Sequence, residues 1–179
     1  HGIRQVIPNY NHPARTAEGL ATLDLLSDGR VEFGIGEGAT RLELGAFNIP
    51  ARRKRAMALE AAEQICNMMV LTPYPGFEGE GFSMPCRNVL PKPLQTPHPK
   101  LWMACTNRDT IKVAAQNGIG ALAFAFLDPE EAKTWSTIYY DIIKSDACVP
   151  LGWNVNANLA MVSAFSMHED RAEAIRRGQ

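Results

Sequence analysis

Short apolar strands and amphipathic helices alternate along almost the whole of this 179-residue chain, and this alternation constrains its fold more than any other feature. The predicted strands lie at 1–8, 30–38, 100–105, 119–126 and 155–165. The predicted helices lie at 13–26, 52–71, 109–118, 128–146 and from 168 onward. Such alternation is typical of parallel βαβ units with right-handed crossovers. Five strands fit either part of a (β/α)₈ TIM-type barrel or an open doubly wound sheet, and the pattern leaves both open.

The composition is that of a soluble globular protein with one domain over 1–179, since 46% of the residues are hydrophobic and 21% are charged. A formal net charge of −1 gives no basic field for nucleic acid. The sequence also lacks an apolar run long enough for a membrane span, and residues 1–20 lack a signal pattern. The four cysteines and four histidines are scattered, which argues against a metal site and predicts reduced thiols in a cytoplasmic protein.

A proline-rich segment at 72–99 holds seven of the twelve prolines and joins a predicted helix to the next strand. In a barrel, such a connection lies at the face opposite the active site. We therefore expect Tyr74, Phe77, Phe82 and His98 to have structural roles.

A glycine-rich strand end, "GIGEG", invites comparison with dinucleotide-binding loops, but its spacing is G-x-G-x-G and residues 39–50 do not begin a clear helix. We expect these glycines to let a flat ligand or another backbone approach closely. They are Gly34, Gly36 and Gly38. Glu37, between two of them, has three open roles: polar contact, general base, or partner of Arg41.

A second strand end, "ACTNRDT", places Thr106, Asn107 and Thr110 where a helix begins, with Arg108 beside them. Free N–H groups and the helix dipole make such a place suited to an anion. The alternative is that Asn107 or Asp109 caps the helix from within the chain. The residues alone favour capping.

Several segments together resemble the bacterial luciferase-like, flavin-dependent monooxygenases over about residues 3–145. They are "HPARTAEGLATLDLLSDGRVEFGIGEG", "LGAFNI", the F-x-G-x-x-F turn at 77–82, "PKPLQTPHPKLWMAC" and "DTIKVAAQNGIGALAF". The resemblance implies a (β/α)₈ barrel of which this chain supplies about strands three to seven. We therefore expect the sequence to be a partial chain.

The resemblance also implies a cofactor site. The flavin phosphate would lie at Thr106, Asn107 and Thr110, and the ring system at Gly36, Glu37, Phe124 and Ala125. In luciferases proper an arginine that helps hold the phosphate stands at the position of Glu37, so Arg41 or Arg108 is expected to replace it. The family's catalytic histidine falls in a region that this sequence lacks, so Glu37 is the one catalytic candidate and His12 is not given that role.

The implied activity is the oxygenation of a small organic substrate by reduced FMN and O₂, with the reduced flavin supplied by a separate reductase and the enzyme a homodimer. Two alternatives stay open. One is hydride transfer with the deazaflavin F420, and the other is a non-catalytic flavin-binding protein with an incomplete barrel.

Overall fold

Five parallel strands that follow one another in chain order form the sheet around which the molecule is built. The computed structural model describes residues 3–123, 127–162 and 166–178. The sheet strands are β1 (Ile3–Gln5), β2 (Phe33–Gly36), β5 (Leu101–Cys105), β6 (Gly120–Ala123) and β7 (Leu159–Met161). A separate antiparallel hairpin consists of β3 (Phe77–Glu78) and β4 (Ser83–Met84). The helices are α1 (Pro13–Leu26), α2 (Arg41–Ala46), α3 (Lys54–Val70), α4 (Arg108–Gln116), α5 (Pro129–Ile143) and α6 (Arg171–Gly178).

The strand order distinguishes the two architectures that the sequence leaves open. The sheet runs β1-β2-β5-β6-β7 with every pairing parallel, so each strand lies beside the next sheet strand of the chain. A doubly wound sheet reverses its order at a switch point, whereas a (β/α)₈ barrel does not. The fold is therefore α/β of the TIM-barrel type, present in part, as predicted.

The register of the strands separates a helix-covered face from a face on which Trp102 lies between two glycines. Trp102 pairs with Gly34 on one side and Gly120 on the other. A Cβ atom at Gly120 would lie 2.7 Å from the Trp102 ring, so glycine there makes room for the indole. The opposite face carries the apolar core beneath the helices. Its strand members are Phe33, Ile35, Leu101, Met103 and Cys105, all buried.

Local signals in the sequence explain where the long helices begin. The His12 ring accepts a hydrogen bond from the Ala14 N–H, and Pro13 takes the first helical position of α1. Asp128 caps α5 in the same way through the Glu131 N–H. Among the described helices, none is long and apolar enough to cross a membrane.

Two short elements differ from the sequence prediction. Residues 39–50 contain α2, because the Thr40 hydroxyl accepts from the Glu43 N–H and begins a helix that the pattern did not show. The predicted strand at 155–165 is reduced to β7 within its described part, and 163–165 lie outside the described residues.

The proline-rich segment connects α3 to β5 and is anchored by buried polar side chains. The Tyr74 hydroxyl donates to Gln64 Oε1 over 2.9 Å. The His98 Nε2 atom accepts from the Trp153 N–H over 2.9 Å, while its Nδ1 atom lies 2.8 Å from the Pro99 carbonyl oxygen. Both rings are buried, which agrees with the structural roles expected for them.

Candidate functional site

A cavity of ≈ 420 Å³ opens at the carboxyl ends of β2 and β5, where α3 and α4 begin nearby. Active sites of (β/α)₈ barrels are built at this face of the sheet. Five of the residues predicted for the cofactor site line the cavity, namely Gly36, Glu37, Thr106, Asn107 and Thr110. Gln5 at the end of β1, together with Lys54 and Arg55 at the start of α3, completes its polar wall.

The Glu37 carboxylate is held by two cations of α3. Its two oxygens accept from Arg55 Nε over 3.2 Å and from Arg55 Nη2 over 3.1 Å. Lys54 Nζ lies 3.4 Å from Glu37 Oε1 and donates to the Gly38 carbonyl oxygen over 2.8 Å. Glu37 therefore pairs with Arg55 and Lys54 rather than with Arg41.

These contacts fix the charge of the Glu37 group. Burial opposes its ionised form, but the hydrogen bonds and charges of Arg55 and Lys54 outweigh burial and hold the pKa of Glu37 below its ordinary value. The hydrogen bond to Glu37 and the negative charge of that carboxylate in turn raise the pKa of Arg55. Near neutral pH, then, Glu37 is an anion and is unsuited to act as a general base of raised pKa.

Lys54 and Arg55 are not among the residues predicted from the sequence, although a signal for them is visible. The basic run Arg52–Arg55 spans the start of α3, which has no acidic residue in its first turn and whose N-cap, Arg53, makes no side-chain capping bond. Cations at a helix N-terminus oppose the helix dipole and are normally unfavourable there. A basic, uncapped helix start is therefore a reason to expect an anion close by.

At the start of α4, the polar groups satisfy one another. Asn107 Oδ1 accepts from the Thr110 N–H over 3.0 Å. Thr110 Oγ1 in turn accepts from the N–H groups of Thr106 and Asn107 over 3.1 and 3.2 Å. This is a capping box, so the structure favours the capping interpretation of these residues.

Arg108 does not line the cavity. Its Nε atom donates to Glu131 Oε1 over 2.7 Å and its Nη2 atom to the other carboxylate oxygen. This pair is on the surface between α4 and α5, and it occupies the guanidinium expected to contact the phosphate. Phe124 and Ala125, predicted to contact the flavin ring, lie outside the described residues.

The glycines of the strand end have different roles. Gly36 lines the cavity, and its carbonyl oxygen accepts from the Val6 N–H. Gly38 has φ +79°, and a Cβ atom there would lie 2.7 Å from the Tyr10 hydroxyl oxygen. Gly38 thus accommodates the chain's own packing, whereas Gly36 is part of the cavity wall.

Two other polar groups near the cavity bear on what it can bind. The Gln5 amide donates to Glu43 Oε1 over 3.0 Å, but its Oε1 atom is buried without a hydrogen-bond partner in the described part of the chain. Cys105 is fully buried, and burial raises the pKa of its thiol to about 11, so it is not an activated nucleophile. Within 3–123, 127–162 and 166–178, no group of three His, Cys, Asp or Glu side chains could hold a metal ion.

Comparison with known sequences gives a consistent result. The sequence model of the luciferase-like monooxygenase family matches residues 5–176. The alkanal monooxygenase beta chain of Photorhabdus luminescens is 26% identical over 163 residues, which cover 91% of this chain and 49% of that protein. The oxygenase component of the flavin-dependent trigonelline monooxygenase of Acinetobacter baylyi is 29% identical over 120 residues, covering 65% and 32%.

Solved structures with the same fold are also found among monooxygenases and related enzymes. The monooxygenase RslO1 of Streptomyces bottropensis superposes with a TM-score of 0.76 at 26% identity, over 98% of this chain and 53% of that one. The oxygenating constituent of 3,6-diketocamphane monooxygenase of Pseudomonas putida, in complex with FMN, gives 0.71 at 18% identity over 96% and 49%. An F420-dependent secondary alcohol dehydrogenase gives 0.67 at 19% identity over 97% and 51%.

The family model and the solved structures thus match nearly the whole chain, although the chain spans only about a third to a half of the length of these proteins. Because the family model covers residues 5–176 and the fold agrees with it, the chain belongs to the luciferase-like monooxygenase family.

Proposed function

We propose that this chain forms the cofactor-phosphate side of the active site of a flavin-dependent monooxygenase, which uses reduced FMN and O₂ to oxygenate a small organic substrate. The observation that carries the proposal is the pair of cations, Lys54 and Arg55, in a cavity at the carboxyl ends of two parallel strands. A phosphate monoester is the anion that such a pair suits, and Arg in particular binds phosphate through two N–H groups.

The residues present fit a flavin nucleotide in three respects. The cavity volume of ≈ 420 Å³ lies within the usual range of small-molecule sites. The positive charges of Lys54 and Arg55 complement the negative charge of a phosphate. The buried, unpaired Oε1 atom of Gln5 is an acceptor for an N–H group of a ligand, and such an orphan otherwise lowers stability.

In this proposal each residue has a specific task. Arg55 and Lys54 hold the phosphate, while the Thr106 side chain and the capping box of Asn107 and Thr110 shape the same wall of the cavity. Gly36 leaves room for the ring system. Phe124 and Ala125 are predicted to contact the same ring system. Bound FMN supplies the redox chemistry, and the protein binds it, orients it and limits the access of water.

A related activity within the family is hydride transfer with F420, and the structural likeness to an F420-dependent alcohol dehydrogenase favours it as the second candidate. Lys54 and Arg55 suit the phosphate of either cofactor. Measuring which of the two cofactors binds therefore distinguishes the two activities.

The remaining assignments follow from the monooxygenase proposal. A separate reductase supplies the reduced flavin, and the enzyme is a homodimer in the cytoplasm. All four cysteines are free thiols, as a reducing compartment would leave them. On α1, the exposed side chains of Leu23, Leu25 and Leu26 offer apolar surface for association.

Anaerobic titration of the chain with reduced FMN, and in parallel with reduced F420, tests the proposal. We expect saturable binding of reduced FMN, and binding about 10- to 100-fold weaker in Arg55→Gln because a charged hydrogen bond is lost. Arg176→Gln is the matched control, since Arg176 makes a similar two-bond pair with Glu173 on α6, away from the cavity.

Each outcome of the titration has a definite meaning. Binding of F420 but not of FMN favours hydride transfer. If FMN binds but, once air is admitted, the loaded chain and a candidate substrate give no oxygenated product, the non-catalytic flavin-binding protein is favoured. If neither cofactor binds, or if Arg176→Gln weakens binding as much as Arg55→Gln, the proposed site is wrong.

A further inference from the structure

We propose that Glu37 is an internal competitor for the cofactor phosphate and thereby limits how strongly the site prefers a phosphorylated flavin over one without phosphate. The inference rests on the function proposed above. It assigns a specificity role to a carboxylate that lies inside an anion site, where a carboxylate is at first sight misplaced.

The geometry of the Glu37–Arg55 pair carries the inference. The carboxylate occupies two adjacent N–H groups of Arg55, at 3.2 and 3.1 Å, with one oxygen on each. Carboxylate and phosphate are bound by guanidinium in the same two-bond arrangement. A phosphate that approaches this edge of Arg55 must therefore displace Glu37 from it.

Lys54 is engaged in the same way. Its ammonium lies 3.4 Å from the oxygen of Glu37 that also faces Arg55 Nη2. Both cations that face the cavity thus already have Glu37 as a counter-ion. About a quarter of the Glu37 side chain is exposed, so solvent screens these contacts only in part.

The charge within the cavity leads to the same conclusion. Of the residues that line it, all of which lie in the described part of the chain, three are charged: Glu37, Lys54 and Arg55. Their formal sum is +1, whereas a phosphate monoester carries about −1.5 to −2 near neutral pH. Without the carboxylate the sum would be +2, a much closer complement to the phosphate.

Binding requires only a change in side-chain positions. Glu37 directly follows β2, and its backbone is held between Gly36, in the sheet, and Gly38, in a left-handed turn packed against Tyr10. Rotation of the Glu37 side chain frees the Nε and Nη2 groups of Arg55 without moving β2. Glu37 lowers the affinity for a phosphorylated ligand and leaves that for its unphosphorylated form unchanged.

The test compares FMN with riboflavin, which share the ring system and differ by the phosphate. In the wild-type chain, titrated by flavin fluorescence at fixed ionic strength, we expect FMN to bind less than about tenfold more tightly than riboflavin. In Glu37→Gln we expect the Kd for FMN to fall about tenfold or more while the Kd for riboflavin changes by less than about twofold.

Two further variants keep the test decisive. Glu37→Ala should tighten FMN binding in the same direction, which guards against an effect peculiar to the glutamine amide. Glu173→Gln is the matched control, because Glu173 pairs with both Arg176 and Arg177 on α6 and its loss changes the net charge equally. It should change neither Kd.

Failure of this inference is distinguishable from failure of the proposed function. If the wild-type chain binds FMN but Glu37→Gln binds it no more tightly, the competition is refuted and the flavin site stands. Equal tightening of FMN and riboflavin would place Glu37 near the ring instead and would also refute the competition. If the wild-type chain binds neither flavin, either oxidised or after anaerobic reduction, both proposals are refuted.

Discussion

The Glu37 carboxylate, which follows strand β2, pairs with Arg55, 18 residues further along the chain in the first turn of α3. Arg41, four residues away, was the partner expected from the sequence, because only neighbours along the chain are visible without a fold. The presence of a carboxylate beside the strand-end glycines could be read directly, but its charge partners depend on how α3 packs against β2. Its pairing was therefore beyond prediction, although the basic start of α3 marked the place.

At His98, burial lowers the pKa of the ring, and this effect outweighs the hydrogen bond to the Pro99 carbonyl oxygen. The folded protein therefore protonates His98 at a lower pH than the unfolded chain does, in which the ring has its ordinary pKa of 6.5. Below that pH the unfolded state binds more protons, so the free energy of unfolding should fall as pH falls, by at most about 1.4 kcal/mol per pH unit.

Urea denaturation between pH 7.5 and 5.5 measures this dependence, with His98→Asn as the comparison. The variant loses the titrating ring, and its free energy of unfolding should be lower at pH 7.5 but nearly flat across this range. An equal slope in the variant would show that another group is responsible.

Among the elements, the long helices and the buried strands were predictable, and two short elements were not. The period of the apolar residues marks both helices in the sequence itself, together with Pro13 at the first helical position of α1 and the cap Asp128 of α5. Helix α2 has six residues, and its Glu43 bonds to Gln5 across 38 positions. Hairpin β3–β4 pairs two residues on each strand. Elements this short depend on tertiary contacts more than on their own sequence.

The capping box of α4 gives a prediction about stability. Asn107→Ala removes the acceptor for the Thr110 N–H and should lower the free energy of unfolding by about 1 kcal/mol. Asp109→Ala, two positions on, is the control. Its exposed carboxylate lies 3.7 Å from Lys112 and should contribute less than about 0.5 kcal/mol. Urea denaturation of both variants measures the difference, and a larger loss in Asp109→Ala would contradict the capping role.

For the whole molecule, strand alternation predicted the parallel sheet but could not distinguish a barrel from a doubly wound sheet. The resemblance to the luciferase-like family predicted the barrel, and the sequential strand order β1-β2-β5-β6-β7 confirms this prediction. The residues of the candidate cofactor site could be predicted only in part. Thr106, Asn107 and Thr110 were expected at a strand end and do line the cavity. Arg108 was expected beside them, but it pairs with Glu131 of α5. This ion pair could not be predicted because it depends on how α5 packs against α4.

Protection of the backbone should be highest in the middle of the sheet and lowest at its β7 side. Strands β2 and β5 each pair on both sides and carry buried side chains such as Phe33 and Leu101. None of the residues described in β7 or α6 is fully buried. Local opening costs little free energy where few apolar contacts are lost. In native-state hydrogen exchange read by mass spectrometry, peptides from β2 and β5 should therefore exchange slowest and those from α6 fastest. Protection of α6 equal to that of β5 would contradict this gradient and would mean that a further copy or segment covers α6 in solution.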